Sequence, residues 1–398
     1  DSLLAIEQAM ESLPTDDFRV VPRAVGELLY HSSEVAVREE IDCKKPTLEL
    51  VSEISPSYVT ESGFKGISIS PRRSFLLGKY LGDKWGGKYL RAPEIFFTIL
   101  EKGKGKLVRL GDIAEVRFGI KTGANDFFYL EPLGPGSKPG SLRVRNGAGW
   151  EGEIEEEFLK PVIKSPREIT SVMIKPESLR YCVFLCHRRK GQLGGTRALE
   201  YIKWGEKQGF SEGATCRTRS LWWAVPYVEG NVFWGKELRE RMAVFASMLY
   251  LPADCRLYVS TGDTTLQTIL NSVVSFLVDE IQARQYGGGG GPRSLMVYEV
   301  NQQLILAPDA IADRVNHVLE IFPRFASRPI GSIFTECGID PRSDIPISEQ
   351  EPNPLPDRKA LDDIVFDALE LTKEQQKEVY RAVCQLVWDR ISRARSVD

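Results

Sequence analysis

The chain has 398 residues, 42% apolar and 27% charged, with a net charge of −3. This composition excludes disorder over most of the length, and 18 Phe, 13 Tyr and 7 Trp supply ample surface for a core. The densest apolar run, Val273–Val278, is far short of the ~18 residues that cross a bilayer, so no membrane span is expected. At ~100–200 residues per domain, two or three domains are expected. The opening Asp1–Glu7 has neither a basic region nor a long apolar stretch, so it does not read as a secretion signal. It also lacks an initiator Met, which suggests a piece of a longer protein. Seven Cys without a Cys-x-x-Cys pair point to a reducing, cytoplasmic compartment and not to a disulfide framework.

In chain order, Leu3, Leu4, Ile6, Met10 and Leu13 fit a short amphipathic helix. Asp17 to Ser52 fits a strand pair, and Ser55 to Arg73 is loop-rich. Ala92 to Lys102 has helical spacing, with Pro93 in the first turn. Leu107 to Gly119 alternates like a strand entering a turn. Residues 131–149, rich in Gly, Pro and Ser, read as a surface loop. Glu151 to Glu157 holds five Glu in seven residues. Arg241 to Tyr250 reads as helix or strand. Thr265 to Arg284 is predicted as one amphipathic helix. The run Gly287–Gly291 reads as a flexible exit, or as backbone able to approach a phosphate closely. Leu295 to Leu306 reads as strand. Pro352, Pro354 and Pro356 form an extended lead-in to two helices, Asp357–Leu369 and Thr372–Ala394. The second is capped by Thr372 and Gln375, with Arg390, Arg393 and Arg395 complementing its dipole.

One segment departs from the global charge. Lys164 to Trp223 carries twelve Lys/Arg against five Glu and no Asp, a balance of +7 within a chain of −3. Tyr181, Phe184, Tyr201, Trp204, Phe210, Trp222 and Trp223 are interleaved. Basic and aromatic residues together suit phosphate neutralisation with base contact; a solvated face over core aromatics has the same composition. Cys182, Cys186 and His187 resemble metal ligands, but a tetrahedral site needs four, and Tyr181–Cys186 reads better as a buried strand. Gly-x-Ser-x-Gly, His-Glu-x-x-His and a P-loop are absent, so an active site wholly within this sequence is not supported.

The segment Leu110–Leu130, with Gly119-Ile120-Lys121-Thr122-Gly123-Ala124-Asn125 at its centre, resembles the opening of the target-recognition domain in bacterial adenine-N6 DNA methyltransferases. These are restriction–modification enzymes of the TaqI and Eco57I types. Lys160–Glu168, Arg219-Ser220-Leu221-Trp222-Trp223 and Leu270-Asn271-Ser272 followed by Glu280 are similar to later blocks of that domain, in order. The likeness covers residues 85–398. The family's Asn/Asp-Pro-Pro-Tyr/Phe tetrapeptide and its S-adenosylmethionine loop have no counterpart; Asn353-Pro354-Leu355-Pro356 is not one.

The resemblance implies a module that recognises double-stranded DNA while a catalytic domain of the same polypeptide flips the adenine and methylates it. S-adenosylmethionine is implied for that parent enzyme and no cofactor for this chain. The expected architecture is α+β: a connector over 1–85, a strand-rich mixed recognition domain over 86–325, and a C-terminal helical hairpin within 326–398. The expected DNA-facing residues fall in three groups. Lys121, Thr122 and Asn125 occupy a glycine-flanked turn. Arg188, Arg189 and Lys190 emerge together from a strand end. Arg217 and Arg219 share one side if their segment is extended, with Trp222 or Trp223 beneath them. No catalytic or metal-binding residue is expected. The competing readings are a protein-interaction or scaffold domain with an incidental basic patch, and a self-contained enzyme such as a nuclease.

Overall fold

The computed structural model describes residues 91–285 and 291–395, together with Leu13–Pro14 and Arg19–Val20. The helix expected over Leu3–Leu13 apart from Leu13, the strand pair over Asp17–Ser52 apart from Arg19 and Val20, the loop over Ser55–Arg73 and most of the glycine run lie outside the described residues. The chain divides into two compact units, Asp1–Ala92 and Pro93–Asp398. In the first, β1 (Leu13–Pro14) pairs antiparallel with β2 (Arg19–Val20).

The second unit has the α+β architecture expected from the sequence. It opens with α1 (Glu94–Lys102), with Pro93 at its N-cap, then β3 (Leu107–Arg109), a single helical turn and β4 (Arg117–Phe118). The continuous strand expected from Leu107 is thus broken, because Leu110 turns into the core and starts a helical turn. Another single turn, Asn125–Phe128, leads to β5 (Tyr129–Pro135), β6 (Ser141–Asn146), β7 (Glu151–Glu155), β8 (Leu159–Val162), β9 (Met173–Ile174) and β10 (Tyr181–Phe184). The Gly/Pro/Ser-rich stretch expected as loop is therefore a β-hairpin. Gly134, at φ +137°, sits at a bulge in it, and Gly140, at φ +78°, closes the turn.

Helix α2 (Arg197–Lys207) follows. Then come β11 (Glu229–Gly235), β12 (Glu237–Leu238), β13 (Val244–Pro252) and β14 (Leu257–Ser260), which settles Arg241–Tyr250 as largely strand. The single helix expected from Thr265 is two, α3 (Thr264–Leu270) and α4 (Val273–Gln282). Asn271 breaks it: its side chain accepts from Val244 N and donates to Val244 O, acting as a strand partner, and Ser272 caps α4. Strands β15 (Arg284–Gln285), β16 (Arg293–Ser294) and β17 (Leu304–Leu306) precede α5 (Val315–Ser327), α6 (Pro356–Ala368) and α7 (Lys373–Arg395). The Leu295–Leu306 segment is strand only at its end, because Val297–Asn301 coils into a short helix. The start of α7 is capped as expected: Gln375 N donates to Thr372 Oγ1, and Thr372 N donates to Gln375 Oε1.

Two five-stranded sheets organise this unit, in the orders β7-β6-β5-β10-β8 and β4-β14-β11-β13-β9. Helix α2 packs on the first. The Tyr201 ring stacks on Phe127 at 4.4 Å, and Gly205 lies where any Cβ would meet the Phe127 ring at 2.4 Å. Tyr129 ties the first sheet to the loop before β14, its hydroxyl donating to Asp254 Oδ2 at 2.6 Å. The C-terminal helices join this body through buried charges. Val273 N donates to Asp362 Oδ1 at 2.8 Å, and Arg390 clasps Glu280 with two bonds of 2.9 and 3.0 Å. Arg390, expected to complement the helix dipole, is thus also a buried ion-pair partner of Glu280.

Candidate nucleic-acid interface

The three groups of residues picked out by the sequence are well separated along the chain, and the 213–225 segment brings them together. On one side it meets the 119–125 turn. Arg219 Nη2 donates to Lys121 O at 2.6 Å, and Cys216 Sγ reaches Thr122 O at 3.8 Å. Gly123, at φ +79°, is so close to Thr215 that an added Cβ would stand 2.5 Å from it. On the other side the segment meets the end of β10: Trp223 Nε1 donates to Arg188 O at 3.3 Å, and His187 Nε2 bonds Val225 O at 2.8 Å.

Within this surface the side chains divide by function. Lys121 is exposed, whereas Thr122 is buried, and its hydroxyl bonds Asn125 Oδ1 and accepts from Ala124 N. Thr122 and Asn125 thus satisfy each other and shape the turn.

Arg217 and Arg219 are not in an extended segment. Arg217 N bonds Gly213 O and Arg219 N bonds Cys216 O, so the chain is coiled in turns. The two side chains consequently part. Arg217 is exposed, and Arg219 folds inward to carbonyls of Lys121 and Trp222, over the Phe128 ring at 5.7 Å. Burial lowers the Arg219 pKa. Trp222 and Trp223 are both core residues.

The basic triplet divides as well. Arg188 makes a two-pronged contact with Glu157, at 3.1 and 2.5 Å, and lies over the Phe158 ring. Lys190 Nζ donates to Glu206 Oε2 at 2.6 Å, and Glu206 Oε1 accepts from Trp222 Nε1 at 3.0 Å. Burial pushes the Glu206 carboxyl up, but the hydrogen bonds from Lys190 and Trp222 together outweigh it and hold the pKa below its ordinary value. Arg189 is exposed and makes no ion pair with a described residue.

Glu157 and Glu206 were missed as partners when charge was counted along the chain. The signal for Glu157 was present in the acidic run Glu151–Glu157. Glu155 of the same run accepts from Arg197 N and Ala198 N at 2.7 and 3.0 Å, occupying the N-terminus of α2. Cys182 lies in a buried strand, where burial pushes its thiol to about 11, and no metal-holding group of His, Cys, Asp and Glu occurs among the described residues.

The surface thus lies on a unit with one antiparallel and one mixed five-stranded sheet, α2 being packed on the antiparallel one. Residues 175–291 match the family of the type II methyltransferase M.Eco57I, C-terminal domain. The resemblance read from the sequence is borne out by that match. Among solved structures the chain is similar to the type IIG restriction endonuclease BpuSI, with a TM-score of 0.48 and 14% identity over 76% of this chain and 34% of that one. The chain spans about a third of that enzyme's length. No curated protein sequence matches it. Among the described residues no helix is long and apolar enough to cross a membrane.

Proposed function

We propose that this chain is the double-stranded DNA recognition module of an adenine-N6 DNA methyltransferase of the restriction–modification kind, acting in the cytoplasm beside a catalytic domain of the same polypeptide. The observation that carries the reading is the convergence of the 119–125 turn, the basic triplet and the 213–225 segment on one surface, the last two lying within the residues that match the M.Eco57I C-terminal family. The exposed cations there, Lys121, Arg189 and Arg217, supply phosphate contacts, which set position on a duplex. Arg188 and Lys190 add charge when their carboxylate partners yield. Arg219, Thr122, Asn125 and Trp222 hold the surface in shape.

S-adenosylmethionine, which supplies the methyl group, is assigned to the catalytic domain. The glycine-bearing turn Gly191–Thr196 runs into the N-terminus of α2, but it does not fit a cofactor loop. The helix N–H groups it presents are already taken by Glu155.

Binding of specific and random duplexes at several salt concentrations tests the proposal. Each of Lys121→Ala, Arg189→Ala and Arg217→Ala is expected to lower the log-salt slope by ~1. Absence of salt-sensitive duplex binding by the unaltered chain overturns it. The neutralisation of Arg188 and Lys190 by Glu157 and Glu206 favours a second reading, a scaffold domain with an incidental basic patch. That reading predicts a protein partner and a flat salt response.

A further inference from the structure

Strand β13 leaves its ladder in mid-course. Ala246 pairs with Val232 and Leu251 with Gly230, so four residues, Ser247–Tyr250, stand opposite the single Asn231. Three successive side chains of this bulge point outward: Met248 is 81% exposed, Leu249 61% and Tyr250 58%. In an ordinary strand alternate residues would turn inward. The projection is held firmly. Both flanks are paired to β11, the Ser247 hydroxyl accepts from Leu249 N at 3.1 Å, and Ala246 and Ser247 pair in parallel with Met173 and Ile174. Lys175, the next residue after Ile174, is exposed and makes no ion pair with a described residue.

A large apolar group on a protein surface calls for an occupant. A stable protein interface takes about 800 Å² from each partner, and three side chains offer well under that. The projection is also short, four residues long, and anchored by pairing on both flanks. Proteins that open a duplex use such apolar wedges, Met and Leu among them, between base steps, with nearby cations on the backbone.

We infer that Met248, Leu249 and Tyr250 form a wedge that enters double-stranded DNA at a base step, with Lys175 at the adjoining phosphate. The inference rests on the proposed DNA recognition and adds to it the means of opening the stack. A turned-out adenine leaves a gap in the duplex, and an apolar insertion lowers the cost of unstacking beside it.

The test uses the full chain and a duplex carrying a fluorescent purine analogue that brightens on unstacking. The triple variant Met248→Ser/Leu249→Ser/Tyr250→Ser alters only exposed side chains, so the fold is expected to survive, checked by circular dichroism. The unaltered chain is expected to brighten the analogue. The variant is expected to lose that signal and at least about tenfold in affinity for the specific duplex, with its log-salt slope unchanged. Lys175→Ala is expected to keep the signal and lower the slope by ~1. A folded triple variant with full affinity and full brightening overturns the wedge. So does a variant that changes the association state of the chain and leaves DNA binding intact. If the unaltered chain binds no duplex in a salt-sensitive way, the DNA reading itself fails, and that outcome is seen before any variant is made.

Discussion

Glu280→Gln is the most informative single change to the body that carries the surface. Glu280 and Arg390 are both fully buried, and two hydrogen bonds of 2.9 and 3.0 Å join α4 to α7. Arg293 lies 3.5 Å from the same carboxylate and 2.9 Å from Asp279. Two arginines and two carboxylates thus balance in a space closed to water. Glutamine keeps the volume and removes one negative charge. Arg390 then keeps the carbonyls of Gly291 and Arg239 and at most one neutral bond to the amide oxygen, and two cations share Asp279. Removing one partner of a buried pair costs about 3–5 kcal/mol, a large part of the ~5–15 kcal/mol that holds a domain folded. In urea, at a slope of up to ~3 kcal/mol per molar, the midpoint is expected to fall by about 1 M or more with the slope unchanged. The double variant Glu280→Leu/Arg390→Met, which removes both buried groups, is expected to recover most of the loss. A loss below about 1 kcal/mol, or a double variant no more stable than the single one, would refute the reasoning.

Gly123→Ala places a side chain at φ +79° and against Thr215, so it is expected to cost at least ~1–2 kcal/mol in a thermal melt. It should also weaken duplex binding through Lys121 without removing a charge. Stability should fall between about pH 4 and pH 6.5 in the part governed by Asp279 and Asp362. Burial pushes both carboxyls up to about 6, with Arg293 and Arg358 respectively opposing it. The folded state therefore holds protons that the unfolded chain has already released, and each group's contribution, on the order of 3 kcal/mol, is present below the unfolded value near 4 and gone above 6. Melting temperatures across that range measure it, and Asp362→Asn should make the decline shallower.

Local signals in the sequence located what local forces decide. The Thr372–Gln375 cap and the buried strand at Tyr181–Phe184 are where periodicity and capping put them, and Pro93 falls one residue before its expected first turn. The misread elements are those settled by distant partners. The glycines and prolines of 131–149 suggested a loop, yet the outward Glu131, Arg145 and Glu151 sit opposite one another across β5, β6 and β7, where alternating charge supports pairing. Asn271 halts an apolar run that would otherwise continue, and its reason, the backbone of Val244, lies 27 residues away. Helix α2 carries a readable stripe in Ala198, Tyr201, Ile202 and Gly205, and Thr196 caps it.

The candidate surface shows the same limit in electrostatic form. A balance of +7 over sixty residues describes a segment of chain, whereas a polyanion meets a surface. In the folded unit Glu157, contributed from outside that segment, neutralises Arg188, and Glu206, from within it, neutralises Lys190. Glu131, also from outside, sits between Arg145 and Arg180, whose hydrogen bonds, Arg145's first, hold its pKa down. Exposed pairs of this kind are worth ~0–1 kcal/mol, so they are weak enough for a phosphate to replace them. They still reduce the field that acts before contact, because a paired cation and its carboxylate cancel beyond about one Debye length of ~8–10 Å. Encounter with a duplex is therefore governed by Lys121, Arg189 and Arg217, which make no ion pair with a described residue. Arg188 and Lys190 enter only at close range, once a phosphate displaces Glu157 or Glu206. A charge reversal at the first three should slow association, and one at the other two should speed dissociation.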